Sequence, residues 1–215
     1  MKNTITSFLL ALLSISTSIS IAQPQTIKQR TNDVMADKEK NFAVNFLKET
    51  EFGVFNAVKG LNESQLTFKP VPDVWSIEEC VKHIAASEKE LWAMVEASLN
   101  QPANPEQRAN IKATDTALVH AVEDRSHKSK TFAALEPANS PYKTAAEALA
   151  AFKQNREKLI LFMKNASQDS LRNHVSILPI GTYDAYQLIL LIGAHSKRHT
   201  LQIKEVMANS EFPKQ

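Results

Sequence analysis

Two histidines, His195 and His199, stand four residues apart in the stretch Leu190-Leu191-Ile192-Gly193-Ala194-His195-Ser196-Lys197-Arg198-His199. On a helix this spacing puts both imidazoles on one face, a turn apart, close enough to reach one metal ion. The stripe they share runs on through Leu188, Leu191, Gln202 and Val206. The pair therefore falls inside a mostly core-facing row, where an unpaired polar group is costly. Lys197 and Arg198 fall off that stripe and are expected to face solvent. Surface helices also produce this spacing by chance, so the residues alone leave both readings open.

A third candidate ligand lies far upstream. Cys80, His83, Ser87, Leu91 and Met94 share one arc of a helical wheel, which sets His83 on or beside a buried seam. It is read either as a ligand or as a core histidine satisfied by a backbone carbonyl. Cys80, one turn earlier, is either a soft ligand or a small buried hydrophobe. His120 and His127 sit among Glu123, Asp124, Arg125 and Lys128 and are expected at the surface. His174, in a connection, is read as a loop histidine or as a group at the rim of a site.

The elements that must hold these residues are helices. Apolar positions recur at helical spacing from Asp33 through Phe42, Phe46, Leu47, Val54, Phe55 and Val58, and stop near Gly60. Pro70 and Pro72 fix the segment from Phe68 to Trp75 as non-helical. Ser76-Ile77-Glu78-Glu79 has the form of a capping box and opens a second helix reaching about Leu99. From Asn104 to Ser140 the pattern is weak, with Ala113 to Leu135 expected as a helix of its own. Thr144-Ala145-Ala146-Glu147 is a second capping box, ahead of a third helix marked by Leu149, Phe152, Leu159, Ile160, Phe162 and Met163. A strand-like Val175-Ser176-Ile177-Leu178 follows, then a last helix from about Tyr183 to Ala208. The expected fold is all-α, a four-helix bundle with a long connection between the second and third main helices.

Residues 1–22 are read as a secretory signal peptide: Lys2, then an uncharged run from Ile5 to Ile21, then Ser20-Ile21-Ala22 at the cleavage position. The run is rich in Ser and Thr and falls short of the roughly 20 strongly apolar residues of a membrane span. The chain is thus expected to be exported, to the periplasm or beyond, without stable membrane insertion. Residues 23–32 are expected to be a loose leader and 33–209 the single domain. Loss of Lys2 takes the formal charge from +2 to +1, too balanced to suggest nucleic acid or an anionic membrane surface as partner. One cysteine, Cys80, excludes an internal disulfide framework.

Two segments resemble the DinB-like superfamily, the DinB/YfiT-like metalloenzymes. Pro72-Asp73-Val74-Trp75-Ser76-Ile77-Glu78-Glu79-Cys80-Val81-Lys82-His83-Ile84 is similar to that family's Trp-Ser helix start followed by a ligand histidine. His195-Ser196-Lys197-Arg198-His199-Thr200-Leu201-Gln202-Ile203 is similar to its H-x-x-x-H-x-x-Q-I motif on the last helix. The order of helices agrees, so the resemblance spans roughly Asp33 to Ala208. It implies a four-helix bundle holding a divalent metal on His83, His195 and His199, with Gln202 in support rather than ligating. It also implies association into homodimers as an available state. No general base is identified by the matching segments.

Three neutral imidazoles leave one or more coordination positions open, as catalytic rather than structural sites do. Nitrogen ligands suit Zn, Ni, Fe, Co or Mn alike. The expected chemistry is metal-dependent hydrolysis of an unidentified small molecule. Thiol S-transfer, implied by the family's bacillithiol- and mycothiol-using members, is disfavoured by export, because such thiols are chiefly cytosolic. A non-catalytic metal-binding or stress-associated envelope module, and a bundle with satisfied core histidines and no metal, stay open at this stage.

Overall fold

A computed structural model describes residues 27–128 and 130–214, with side chains from Asp37 onward. The expected signal peptide and the first part of the leader lie outside the described residues. Four long helices carry the fold: α1 (Ile27–Val58), α3 (Ile77–Leu99), α5 (Ala145–Asn165) and α7 (Ala185–Met207). Three shorter ones join them: α2 (Glu63–Thr67), α4 (Asp115–Glu123) and α6 (Gln168–Arg172). The expected strand is present as β1 (Val175–Leu178), paired antiparallel with β2 (Gly181–Asp184), Ile177 opposite Thr182. Among the described helices none is long and apolar enough to cross a membrane.

Local chemistry sets the helix ends. Gly60 takes φ +76° just past α1, a conformation that side chains with a Cβ resist. At α3 the capping box closes fully: Ser76 Oγ accepts from the Glu79 amide (3.2 Å), and Glu79 Oε2 accepts from the Ser76 amide (2.8 Å). At α5 only half of the expected box forms. Thr144 Oγ1 accepts from the Glu147 amide, but the Glu147 carboxylate reaches the amide of Lys143 rather than that of Thr144. Two boundaries differ from expectation. α1 begins at Ile27, ahead of Asp33, and α7 begins at Ala185, because Tyr183 is taken up in β2 and Asp184 caps the helix by accepting from Gln187.

Each of α1 and α3 packs on both α5 and α7, so the order around the bundle is α1, α5, α3, α7. α1 and α3 are thus diagonal, as are α5 and α7, whereas α3 and α5 are adjacent. Paired positions give the directions. Tyr186 meets Glu39, Gly193 meets Phe46 and Thr200 meets Gly53, so α1 and α7 run parallel. Glu88 meets Arg156 and Trp92 meets Phe162, so α3 and α5 run parallel too. The α1–α7 approach is close: a Cβ at Gly193 would lie 2.7 Å from the Phe46 ring.

Because α3 and α5 are parallel, the chain must return the length of the bundle between them, on the order of 30 Å for helices of this size. That return is residues 100–144. It carries α4, which packs on α7, and two single turns, Ala133–Leu135 and Pro137–Asn139, which pass over α3. The one helix expected across 113–135 is therefore only nine residues long, and the rest crosses the α3–α7 face as irregular chain.

The core is divided. One apolar cluster holds Phe46, Leu47, Leu159, Met163, Leu188 and Ile192; the other holds Val54, Ile77, Cys80, Ile84, Phe152 and Ile203. Between them lies a buried polar layer. Arg156, fully buried, donates to both Glu88 carboxylate oxygens (2.8 and 2.7 Å), to the Leu47 carbonyl, and to Thr50 Oγ1 and Ser196 Oγ. All four long helices contribute to it.

Candidate metal centre

Beside this polar layer, toward the second apolar cluster, the facing sides of α3 and α7 bring His83, His195 and His199 together. The Nε2 of His195 lies 3.2 Å from that of His83 and 3.1 Å from that of His199. His83 and His199 are buried, and His195 is intermediate. Burial lowers the pKa of all three, that of His195 to about 3, with the neighbouring His83 and Arg198 adding to the effect. All three rings are thus neutral at physiological pH, the form that ligates metal.

The tautomers follow from the other ring nitrogens. His83 Nδ1 lies 2.8 Å from the Leu135 carbonyl, which can only accept, so Nδ1 carries the proton and Nε2 a lone pair. His199 Nδ1 lies 2.9 Å from Gln202 Oε1, and the same oxygen accepts from Arg125 (3.3 Å). His199 Nε2 is therefore a lone pair as well. Both lone pairs face His195 Nε2, which carries at most one proton and so satisfies at most one of them. A cation between the three nitrogens removes that conflict. Metal–nitrogen bonds of about 2.0 to 2.1 Å give edges of about 2.8 to 3.0 Å in octahedral and about 3.3 to 3.4 Å in tetrahedral arrangements, and the two separations at His195 fall between these limits.

The surroundings come from the irregular segments. The Pro-fixed turn before α3 sets the Trp75 ring 4.8 Å from His83 and stacks it on His199 at 5.9 Å. The long connection supplies the Leu135 carbonyl and Arg125, whose guanidinium also pairs with Glu205 (2.6 Å). Gln202 thus stands as expected, bonded to His199 Nδ1 rather than joining the cluster of ring nitrogens. We expect Gln202→Ala to weaken metal affinity about 10- to 100-fold while leaving the helical circular dichroism unchanged. Competition against a chelating dye measures this.

The other sequence candidates separate cleanly. Cys80 is fully buried in the second apolar cluster, and burial pushes its thiol pKa up; it does not join the three histidines. His120 and His127 are exposed, as expected. His174 accepts no rim role: its Nδ1 meets the Ser98 carbonyl, at the far end of α3 from His83. Two expectations are corrected. Arg198 is not solvated: it is buried and donates to the carbonyls of Val122, Asp124 and His127, pinning the connection to α7. Met94, placed on the buried arc, is exposed. Leu135 and Arg125 carried no sequence signal, since every residue offers a carbonyl and Arg125 lies in a charged, unpatterned stretch.

Known proteins agree with this architecture. Bacillus subtilis YfiT, described as a probable metal-dependent hydrolase with an unusual four-helix bundle topology, superposes with a TM-score of 0.55 at 14% identity, over 87% of this chain and 90% of its own. At that identity the likeness concerns the fold. An uncharacterized protein of Bacillus subtilis strain 168, YuaE, is 25% identical over 171 residues, 78% of this chain and 99% of YuaE. Residues 48–203, which include all three histidines, match the DinB superfamily, and the chain belongs to that superfamily.

Proposed function

We propose that this protein is an exported metalloprotein that holds one divalent ion on His83, His195 and His199 and hydrolyses a small molecule there. The observation that carries the reading is the convergence of three Nε2 atoms, two of them fixed as lone pairs by the partners of Nδ1. A divalent ion held on three neutral imidazoles with an open position supplies Lewis acidity toward a carbonyl and toward water. The chain's own part is positional. Leu135 and Gln202 lock the rings of His83 and His199. Trp75 walls the site with an apolar ring face. The uncharged run from Ile5 to Ile21 supports export.

A second reading, metal holding without turnover, is favoured by one observation: among the described residues no carboxylate joins the three histidines to serve as proton acceptor. Metal analysis of mature protein, paired with turnover assays on esters, amides and thiol–electrophile pairs, tests both. The H83A/H195A/H199A variant is the control. We expect about one metal per chain, lost in the triple variant, and ester or amide turnover lost with it. Metal retained by the triple variant would sink the site assignment; metal without turnover favours the second reading. N-terminal sequencing of the exported form tests cleavage after Ala22.

A further inference from the structure

The hydroxyl of Ser87 is buried to 1% exposure, one turn beyond His83 on α3. Three other buried helical hydroxyls, those of Thr50, Ser196 and Thr200, bond back to the carbonyl four residues earlier, at 3.0, 3.1 and 2.9 Å. Ser87 makes no such bond. Its Oγ turns to the His83 ring instead, 3.4 Å from Nε2 and 3.5 Å from Nδ1. Neither nitrogen is a sound partner. The Nδ1 proton goes to Leu135 at 2.8 Å, and the Nε2 lone pair points at the other histidines. Once the Nε2 lone pair is given to a metal, the Ser87 hydroxyl loses that acceptor, and a buried hydroxyl left so is costly unless a group entering the site takes its proton.

Charge narrows that group. The three imidazoles are neutral, and the Nδ1 protons of His83 and His199 go to uncharged acceptors, a carbonyl and an amide. Among the described residues no carboxylate joins the three histidines to offset the charge of an ion held there. A dication in this setting keeps its full charge and favours an anionic fourth ligand. Resting on the metal reading above, we infer that Ser87 donates its hydroxyl proton to an anionic oxygen, such as that of a carboxylate, in the molecule that completes the three-histidine site.

Full-length mature protein loaded with Co2+ and titrated with acetate, followed by the visible absorption of the cobalt, tests this. Ser87→Ala is expected to keep one Co2+ per chain and to weaken acetate binding about 5- to 10-fold. Ser87→Cys, near in volume but a poor donor, is expected to show the same loss and serves if the alanine variant does not fold. Equal acetate affinity in wild type and a cobalt-loaded variant overturns the Ser87 role alone. Reduced cobalt affinity with unchanged acetate affinity overturns it too, because the hydroxyl would then serve only the His83 ring. Failure of wild type to take up stoichiometric Co2+ overturns the metal reading, and the Ser87 role with it.

Discussion

Arg156→Met is expected to cost about 3–5 kcal/mol of folding stability, measured by urea denaturation at pH 7. The guanidinium is fully buried, and its loss strands the Glu88 carboxylate between two apolar clusters. The other partners lose little. Thr50 Oγ1 and Ser196 Oγ keep their bonds to the carbonyls of Phe46 and Ile192. The deficit therefore belongs to one unpaired charge, which gives two further expectations. The double variant E88M/R156M, with both charges gone, should recover most of the loss, since replacing a buried pair by apolar groups of similar size is often neutral. The deficit of the single variant should also depend on pH. Burial already pushes the Glu88 pKa up, with Arg156 opposing it. Without Arg156 the folded-state value rises further above the unfolded one. Between those two values the folded state binds the extra proton, so stability falls as pH rises. The variant should be less impaired at pH 5 than at pH 7. A deficit independent of pH, or a double variant as weak as the single one, would show that packing rather than charge is responsible.

The same layer marks where the sequence stops being readable. Arg156 lies in Lys153-Gln154-Asn155-Arg156-Glu157-Lys158 and Glu88 in Ser87-Glu88-Lys89-Glu90, charged runs that read as solvated helix faces. The available hint was register: Arg156 falls on the stripe between Phe152 and Leu159, and Glu88 lies four beyond Ile84. Their partnership joins helices 68 positions apart, which no local pattern encodes. Helices and caps were legible because periodicity and Ser76 or Thr144 act locally. A stripe says which face is buried but not which neighbour covers it, so the diagonal placement of α1 and α3 was not legible. The length of the 100–144 connection pointed only to α3 and α5 running parallel. His195 and His199 could be paired from spacing alone, whereas His83 needed the family resemblance. Arg198 was misread for the reason that hid Arg156: basic residues beside a histidine stripe look solvated until a loop from elsewhere supplies carbonyls.

Zinc added to metal-free protein is expected to raise the unfolding free energy by about 2.7 kcal/mol at 100 times its Kd and about 4.1 kcal/mol at 1,000 times, and His195→Ala is expected to abolish that increment. Binding to the folded state alone must stabilise it, and the three ligands come together only when α3 and α7 pack. His195 is the decisive position because its Nε2 is the corner between the other two, 3.2 Å from His83 and 3.1 Å from His199. Removing it leaves two nitrogens and one side of the polyhedron empty. Each protein is compared with its own metal-free form, so the truncation cost of the substitution cancels and only the zinc-dependent shift is read. His174→Ala is the matched control. It removes an imidazole at the other end of α3, whose Nδ1 meets a backbone carbonyl, and should leave the increment intact. Zinc stabilisation surviving in His195→Ala, or lost equally in His174→Ala, would place the binding away from the α3–α7 seam. An increment confined to proteins that retain His195 would show that the ion is held where those two helices meet, so that closing the bundle and forming the site are one event.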